Sequence, residues 1–175
     1  MRVQHKLVAA AVLAAALVLC VAVAAAGESA AGAGGTGGEF VPGRSLAGVE
    51  LGMTRAEVLA TWGVRHGVCR SCAAETWYFN ERPFHPQGKG VVLERGRVVH
   101  AFTLWQPDGW LTPEGLELGA SAGEIGATYG ELDERACRGY SALVREEEDA
   151  QSVFYAYEEE VWGFGLVRPG RSPCL

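Results

Sequence analysis

Residues 48–63, GVELGMTRAEVLATWG, and residues 115–130, GLELGASAGEIGATYG, decide how this 175-residue chain is read. They align without a gap at an offset of 67, and eight of the sixteen positions are identical. Four more keep their chemistry: Val49/Leu116, Thr54/Ser121, Val58/Ile125 and Trp62/Tyr129. Thr54-Arg55-Ala56-Glu57 is a capping box. The Thr54 hydroxyl accepts the Glu57 amide, and the Glu57 carboxylate reaches back to the Thr54 amide. Ser121 and Glu124 repeat the device. Glu57 and Glu124 therefore have cap duties, and neither is a candidate general base. Val58 and Trp62 lie one turn apart on one helix face, as do Ile125 and Tyr129. Gly63 and Gly130 are placed to stop each helix in a left-handed cap.

Strand-like sequence follows each helix. ETWYFN at 75–80 is rich in aromatics, and residues 90–94 and 97–105 flank the hairpin turn Arg95-Gly96. Residues 140–145, 152–157 and 160–167 are the counterparts. The last hairpins align at an offset of 62, matching Phe102 with Phe164, Leu104 with Leu166 and His100 with Trp162. Alternation then puts Phe102 and Leu104 on one face and Ala101, Thr103 and Trp105 on the other. Trp162, Phe164 and Leu166 form the equivalent stripe. The expectation is an α+β fold of two tandem repeats, 41–110 and 111–175. Each is a short helix or helix pair followed by a small antiparallel β-sheet. One copy alone has little core, so the two sheets are expected to join or abut.

The string Leu51-Gly52-Met53-Thr54, then Glu57-Val58 and Trp62-Gly63, then Trp77-Tyr78 and the Arg95-Gly96-Arg97-Val98 hairpin, resembles the SmpA/OmlA (BamE-like) domain. The resemblance covers about residues 48–105 and, more weakly, 115–167. It implies a helix-helix-sheet module of the bacterial envelope. Two such units in tandem, exported and with cysteines, look like the β-lactamase inhibitor protein architecture. That adds an enzyme-inhibitor-like alternative to the binding and scaffolding reading.

The chain begins with Arg2, His5 and Lys6, followed by an unbroken apolar run over 7–26 that ends in small residues. That order is a secretory signal, with cleavage expected near Gly27. An uncleaved anchor is the alternative, since the run is long enough to cross a bilayer. A lipid anchor on Cys20 is a third. Residues 27–40 are Gly/Ala-rich and read as a flexible tether. Secretion or the cell envelope is the expected location, with membrane contact only through an uncleaved N-terminal segment. Loss of Arg2 and Lys6 from the 15 Lys+Arg leaves 13 against 21 Asp+Glu, a formal charge of −8. Nucleic-acid binding calls for a basic patch and is not expected. The charge is uneven, +2 over 44–110 and −8 over 111–175.

Four cysteines follow the signal: Cys69, Cys72, Cys137 and Cys174. An even count in an exported chain suggests two disulfides, and three pairings are open. Cys69–Cys72 with Cys137–Cys174 is favoured, because the second bond pins a tail that otherwise frays. Cys69-Arg70-Ser71-Cys72 also has the form of a redox CxxC, which makes a thiol–disulfide protein the rival reading. Such motifs need a helix start to lower the thiol pKa. Only Ala73 and Ala74 separate Cys72 from strand-like sequence. His66, Cys69, Cys72 and His85 are zinc-ligand types without a zinc spacing. Gly43-Arg44-Ser45 lacks the rest of a nucleophile elbow. No catalytic residues, metal or cofactor are expected. Trp105 and Trp110 flank the turn-like Gln106-Pro107-Asp108-Gly109 and are candidate binding anchors. Packing at the junction of the copies is their alternative. The sequence points to a non-catalytic module for a protein or cell-envelope component.

Overall fold

The computed structural model describes residues 37–79, 88–104 and 109–175. The signal segment and most of the tether therefore lie outside the described residues. β1 (Gly38–Val41) begins inside the stretch read as tether, with Phe40 fully buried. It pairs antiparallel with β2 (Ser45–Leu46) and parallel with β7 (Trp110–Leu111) to make a small sheet.

The helices are α1 (Arg55–Trp62) and α2 (Ala122–Tyr129), eight residues each. Both are entered through complete capping boxes. Thr54 N–H donates to Glu57 Oε2 over 2.6 Å and Ser121 N–H to Glu124 Oε2 over 2.8 Å. Gly63 (φ 93°) and Gly130 (φ 84°) end the helices at positive φ with extended ψ, so neither adopts the left-handed helical cap expected. Two turns are too few to be stable alone, so tertiary contacts must hold them. Val58 and Ile125 are each helix's fully buried residue. The approach to each helix is zipped to a strand. Gly52 N–H donates to Val98 O and Val98 N–H returns to Met53 O, both over 2.8 Å. Gly119 N–H donates to Val161 O over 2.7 Å, and Val161 N–H returns to Ala120 O over 2.9 Å.

The other strands are β3 (Gly67–Val68), β4 (Glu75–Phe79), β5 (Gly88–Glu94), β6 (Arg97–Leu104), β8 (Asp133–Cys137), β9 (Tyr140–Glu146), β10 (Gln151–Tyr157) and β11 (Glu160–Val167). They form one eight-stranded antiparallel sheet in the order β3-β4-β5-β6-β11-β10-β9-β8. This corrects the expectation of two helix-plus-small-sheet repeats. The protein is mostly β, with two short helices on a large sheet. The physical reason is the β6–β11 ladder, in which Phe102 pairs Gly165, Ala101 pairs Leu166 and His100 pairs Val167. Each of these eight-residue strands would otherwise offer a long unpaired edge, and pairing removes both.

The register corrects a second expectation. The helix entries contact Val98 and Val161, an offset of 63, where the sequence alignment used 62. A one-residue slip moves side chains to the opposite face. Phe102 therefore lies on the face opposite Phe164, and the structural counterpart of Ala101 is Phe164. Each of the two strands carries a β-bulge at the equivalent position. Val99 is the unmatched residue opposite Val92/Leu93, and Trp162 the unmatched residue opposite Tyr155/Ala156. One face of the sheet packs on α1, α2 and the small sheet through Val58, Val91, Ala101, Ile125, Phe154 and Phe164. Phe40 of β1 stacks on Phe164 with ring centroids 5.0 Å apart.

Candidate binding face

The second face carries a separate cluster: Phe102, Ala142, Val144, Val153, Tyr155 and Val167, flanked by Tyr78, Val92, Cys137, Tyr140 and Trp162. Its construction depends on glycines in the central strands. Gly90 faces Phe102 across the β5–β6 pair, and Gly163 faces Tyr155 across β10–β11. A Cβ on Gly90 would stand 2.6 Å from the Phe102 ring. One on Gly165 would stand 2.5 Å from the Tyr155 hydroxyl. The rings thus lie down over bare backbone, a place where only glycine leaves room.

Tyr155 is the centre of this layer. Its hydroxyl and His100 Nε2 are 2.7 Å apart in a buried hydrogen bond. Burial pushes the His100 pKa down to about 3, so the imidazole is neutral at pH 7. Burial, then the neighbouring Tyr140, pushes the Tyr155 phenol well above its ordinary value. Trp162 stacks on Tyr155 at 5.5 Å, and Tyr140 meets both rings edge-on at 5.9 and 5.4 Å. The bulge aims Trp162 at this face, which a regular strand would not do. Leu175 N–H donates to Tyr140 Oη over 2.6 Å.

At the β10–β11 end of the face the cluster opens to solvent. Tyr140 and Trp162 are half-buried, Tyr157 is 59% exposed and Leu175 46%. The turn beside them is Tyr157-Glu158-Glu159-Glu160, all exposed. None of its carboxylates joins an ion pair with another described residue. The result is a patch of tyrosine, tryptophan and leucine with an acidic rim.

The residues singled out in the sequence are distributed elsewhere. Trp105 lies outside the described residues. Trp110 is 1% exposed and packs in the core on the helix side, so it offers no open anchor. Thr54, Glu57, Ser121 and Glu124 are the helix caps, and the cap bonds hold both glutamate pKa values below the usual range. The cysteines are joined as Cys69–Cys72 and Cys137–Cys174, each with Cα atoms 5.6 Å apart. Cys69 and Cys72 sit in the β3–β4 loop, and a strand follows them where a redox motif would need a helix. His66 stacks on Trp77 at 4.2 Å, and His85 lies outside the described residues. Among the described residues no helix is long and apolar enough to cross a membrane.

Tyr140, Tyr155, Tyr157 and the face-switch of Trp162 were missed from the sequence. The available signal was the pair of alternating glycines, Gly88/Gly90 and Gly163/Gly165, which marks strands where large rings approach the backbone.

No protein-family model and no curated protein matches the chain. A solved structure similar to part of it is an extracellular protein containing an SCP domain from Bacillus anthracis str. Ames, with 14% identity and a TM-score of 0.49. The match covers 68% of this chain, and the chain spans 44% of that protein. The SmpA/OmlA resemblance is therefore corrected. No such family model matches, and the single large sheet replaces the small helix-and-sheet modules that the resemblance implied.

Proposed function

We propose that the protein is an exported, non-catalytic binding module. Its contact surface is the open end of the second sheet face, and its partner is a protein with a cationic contact surface. The observation that carries this reading is the patch of Tyr140, Tyr157, Trp162 and Leu175. Tyrosine and tryptophan dominate the residues that anchor protein interfaces, and here they sit half-exposed on a rigid sheet. The acidic rim of Glu158, Glu159 and Glu160, in the half of the chain with a charge of −8, favours a basic counterpart. Two disulfides suit a protein made for an oxidising compartment, and the signal-like N terminus agrees with export.

The test is affinity capture from the secreted and envelope proteins of the organism that makes the chain. The bait is used in native form, as a Tyr157→Ala/Trp162→Ala variant, and as a Leu111→Ala control from the opposite side. A partner retained by the native chain and the control, released by moderate salt and lost with the patch variant, supports the proposal. A partner retained equally by all three refutes this face. Turnover of a disulfide substrate that depends on Cys69 would refute the non-catalytic reading.

A further inference from the structure

We propose that residues 168–175 are a disulfide-fastened cover over the second sheet face, and that thiol–disulfide exchange at Cys137–Cys174 uncovers the aromatic layer beneath. The segment is bound at two opposite ends of the sheet. At its start, Arg168 N–H donates to Val99 O over 2.9 Å, and Arg168 and Arg171 both pair with Glu94. Glu94 and Val99 lie at the β5–β6 turn, the same end at which β11 finishes. At its finish, Cys174 is bonded to Cys137, and Leu175 is hydrogen-bonded to Tyr140. Cys137 and Tyr140 face each other across the β8–β9 turn, at the end where β10 gives way to β11.

The segment must therefore travel the length of the sheet. Arg171 N–H donates to Arg168 O over 3.1 Å, so the segment turns beside Glu94, and residues 172–174 make the crossing to Cys137. The helix-side face is filled by α1, α2 and the small sheet, and Tyr140 belongs to the other cluster. The route is over the second face. Val153, Tyr155 and Val167 there are fully buried, although α1, α2 and the small sheet all pack on the opposite side.

Apolar adhesion does not hold this cover. Its sequence is Arg-Pro-Gly-Arg-Ser-Pro-Cys-Leu, and residues 168–172 are exposed. Prolines and Gly170 stiffen and turn it, but between Val167 and Cys174 there is no large apolar side chain to bury. The covalent bond at Cys174 is the fastening. A dithiol reductant opens it in two steps. One thiolate attacks a sulfur of the bond, forming a mixed disulfide and releasing the other cysteine as thiolate. The second thiol of the reductant then displaces the remaining cysteine. The protein gains two electrons and two protons as two thiols, and the reductant leaves as a cyclic disulfide. The binding surface would then extend from the open end to the whole aromatic layer, a consequence that rests on the proposed binding face. The cover itself does not.

The experiment needs no partner, so its failure is distinct from failure of the binding reading. Full-length oxidised protein is compared with a Cys137→Ser/Cys174→Ser variant by hydrogen exchange and by binding of the dye 1-anilinonaphthalene-8-sulfonate. With far-UV circular dichroism unchanged, exchange over 168–175 should speed up at least about tenfold, the signature of local opening. Dye fluorescence should rise several-fold. If the variant does not fold, native protein is titrated with dithiothreitol and alkylation-mapped. Dye binding should then follow the appearance of thiols at Cys137 and Cys174. Unchanged exchange and dye binding in folded protein with both thiols free would overturn the proposal.

Discussion

Replacing Gly165 by alanine tests the packing of the aromatic face at its tightest point. Gly165 has ordinary strand φ, so the backbone itself accepts a side chain. In an open strand the change would gain up to about 1 kcal/mol by reducing the freedom of the unfolded chain. Here the new Cβ would stand 2.5 Å from Tyr155 Oη, 2.9 Å from Cζ and 3.0 Å from Cε2. The ring must move, yet it is fully buried and bound to His100. Overpacking of a filled site costs roughly 1–3 kcal/mol, and a broken buried hydrogen bond about another 1 kcal/mol. The expected net loss is about 2–3 kcal/mol. At a urea slope of about 2 kcal/mol/M, the midpoint falls by about 1–1.5 M with the slope unchanged. Tyr155→Phe removes the atom at 2.5 Å, so Gly165→Ala should cost less in that background, a coupling of about 1 kcal/mol in a double-mutant cycle. A neutral or stabilising Gly165→Ala in the native background would refute the arrangement of the ring over the glycine.

Thr54→Ala and Ser121→Ala should each lower stability by about 1 kcal/mol in urea melts, because each removes a cap accepting a helix amide. His100, held neutral with a pKa of about 3 against 6.5 when exposed, makes stability fall with acid. Its contribution is complete above about pH 6.5 and is lost at up to about 1.4 kcal/mol per pH unit as the pH falls toward 3, since only the unfolded chain binds the proton. His100→Gln should flatten that part of the stability–pH profile relative to the native chain. Removing the Cys137–Cys174 bond frees a loop of sequence separation 37 and should cost at most about 4 kcal/mol, read as a lower melting temperature.

The helix entries were legible from sequence because capping is local. Thr54/Glu57 and Ser121/Glu124 need only the spacing of three residues to make their bonds, and the structure places both boxes where the pattern does. Most strand positions were legible for the same reason. The sheet as a whole was not. The β6–β11 pairing joins residues 63 to 67 apart, and no turn or local pattern encodes it. The bulges at Val99 and Trp162 are equivalent at the structural offset of 63, whereas the sequence alignment used 62, and that one-residue slip put Phe102 and Phe164 on matching faces when they lie on opposite ones. Trp162 was misplaced as well. An offset of 62 put Trp162 on the core stripe, while the bulge turns it toward Tyr155. Trp110 was left open between a binding anchor and a packed residue, and its ring is packed, filling the space against Gly38.

The central claim is that the open end of the second sheet face binds a basic protein surface. Chemical cross-linking on the native chain with a captured partner, followed by hydrogen-exchange mapping of the complex, tests it most directly. The account predicts protection on complex formation at Tyr140, residues 157–162 and Leu175, with the helix faces around Val58 and Ile125 unchanged. Protection confined to the helix side or to the β3–β4 loop around Cys69 and Cys72, with the Tyr157 turn exchanging as in the free protein, would contradict it.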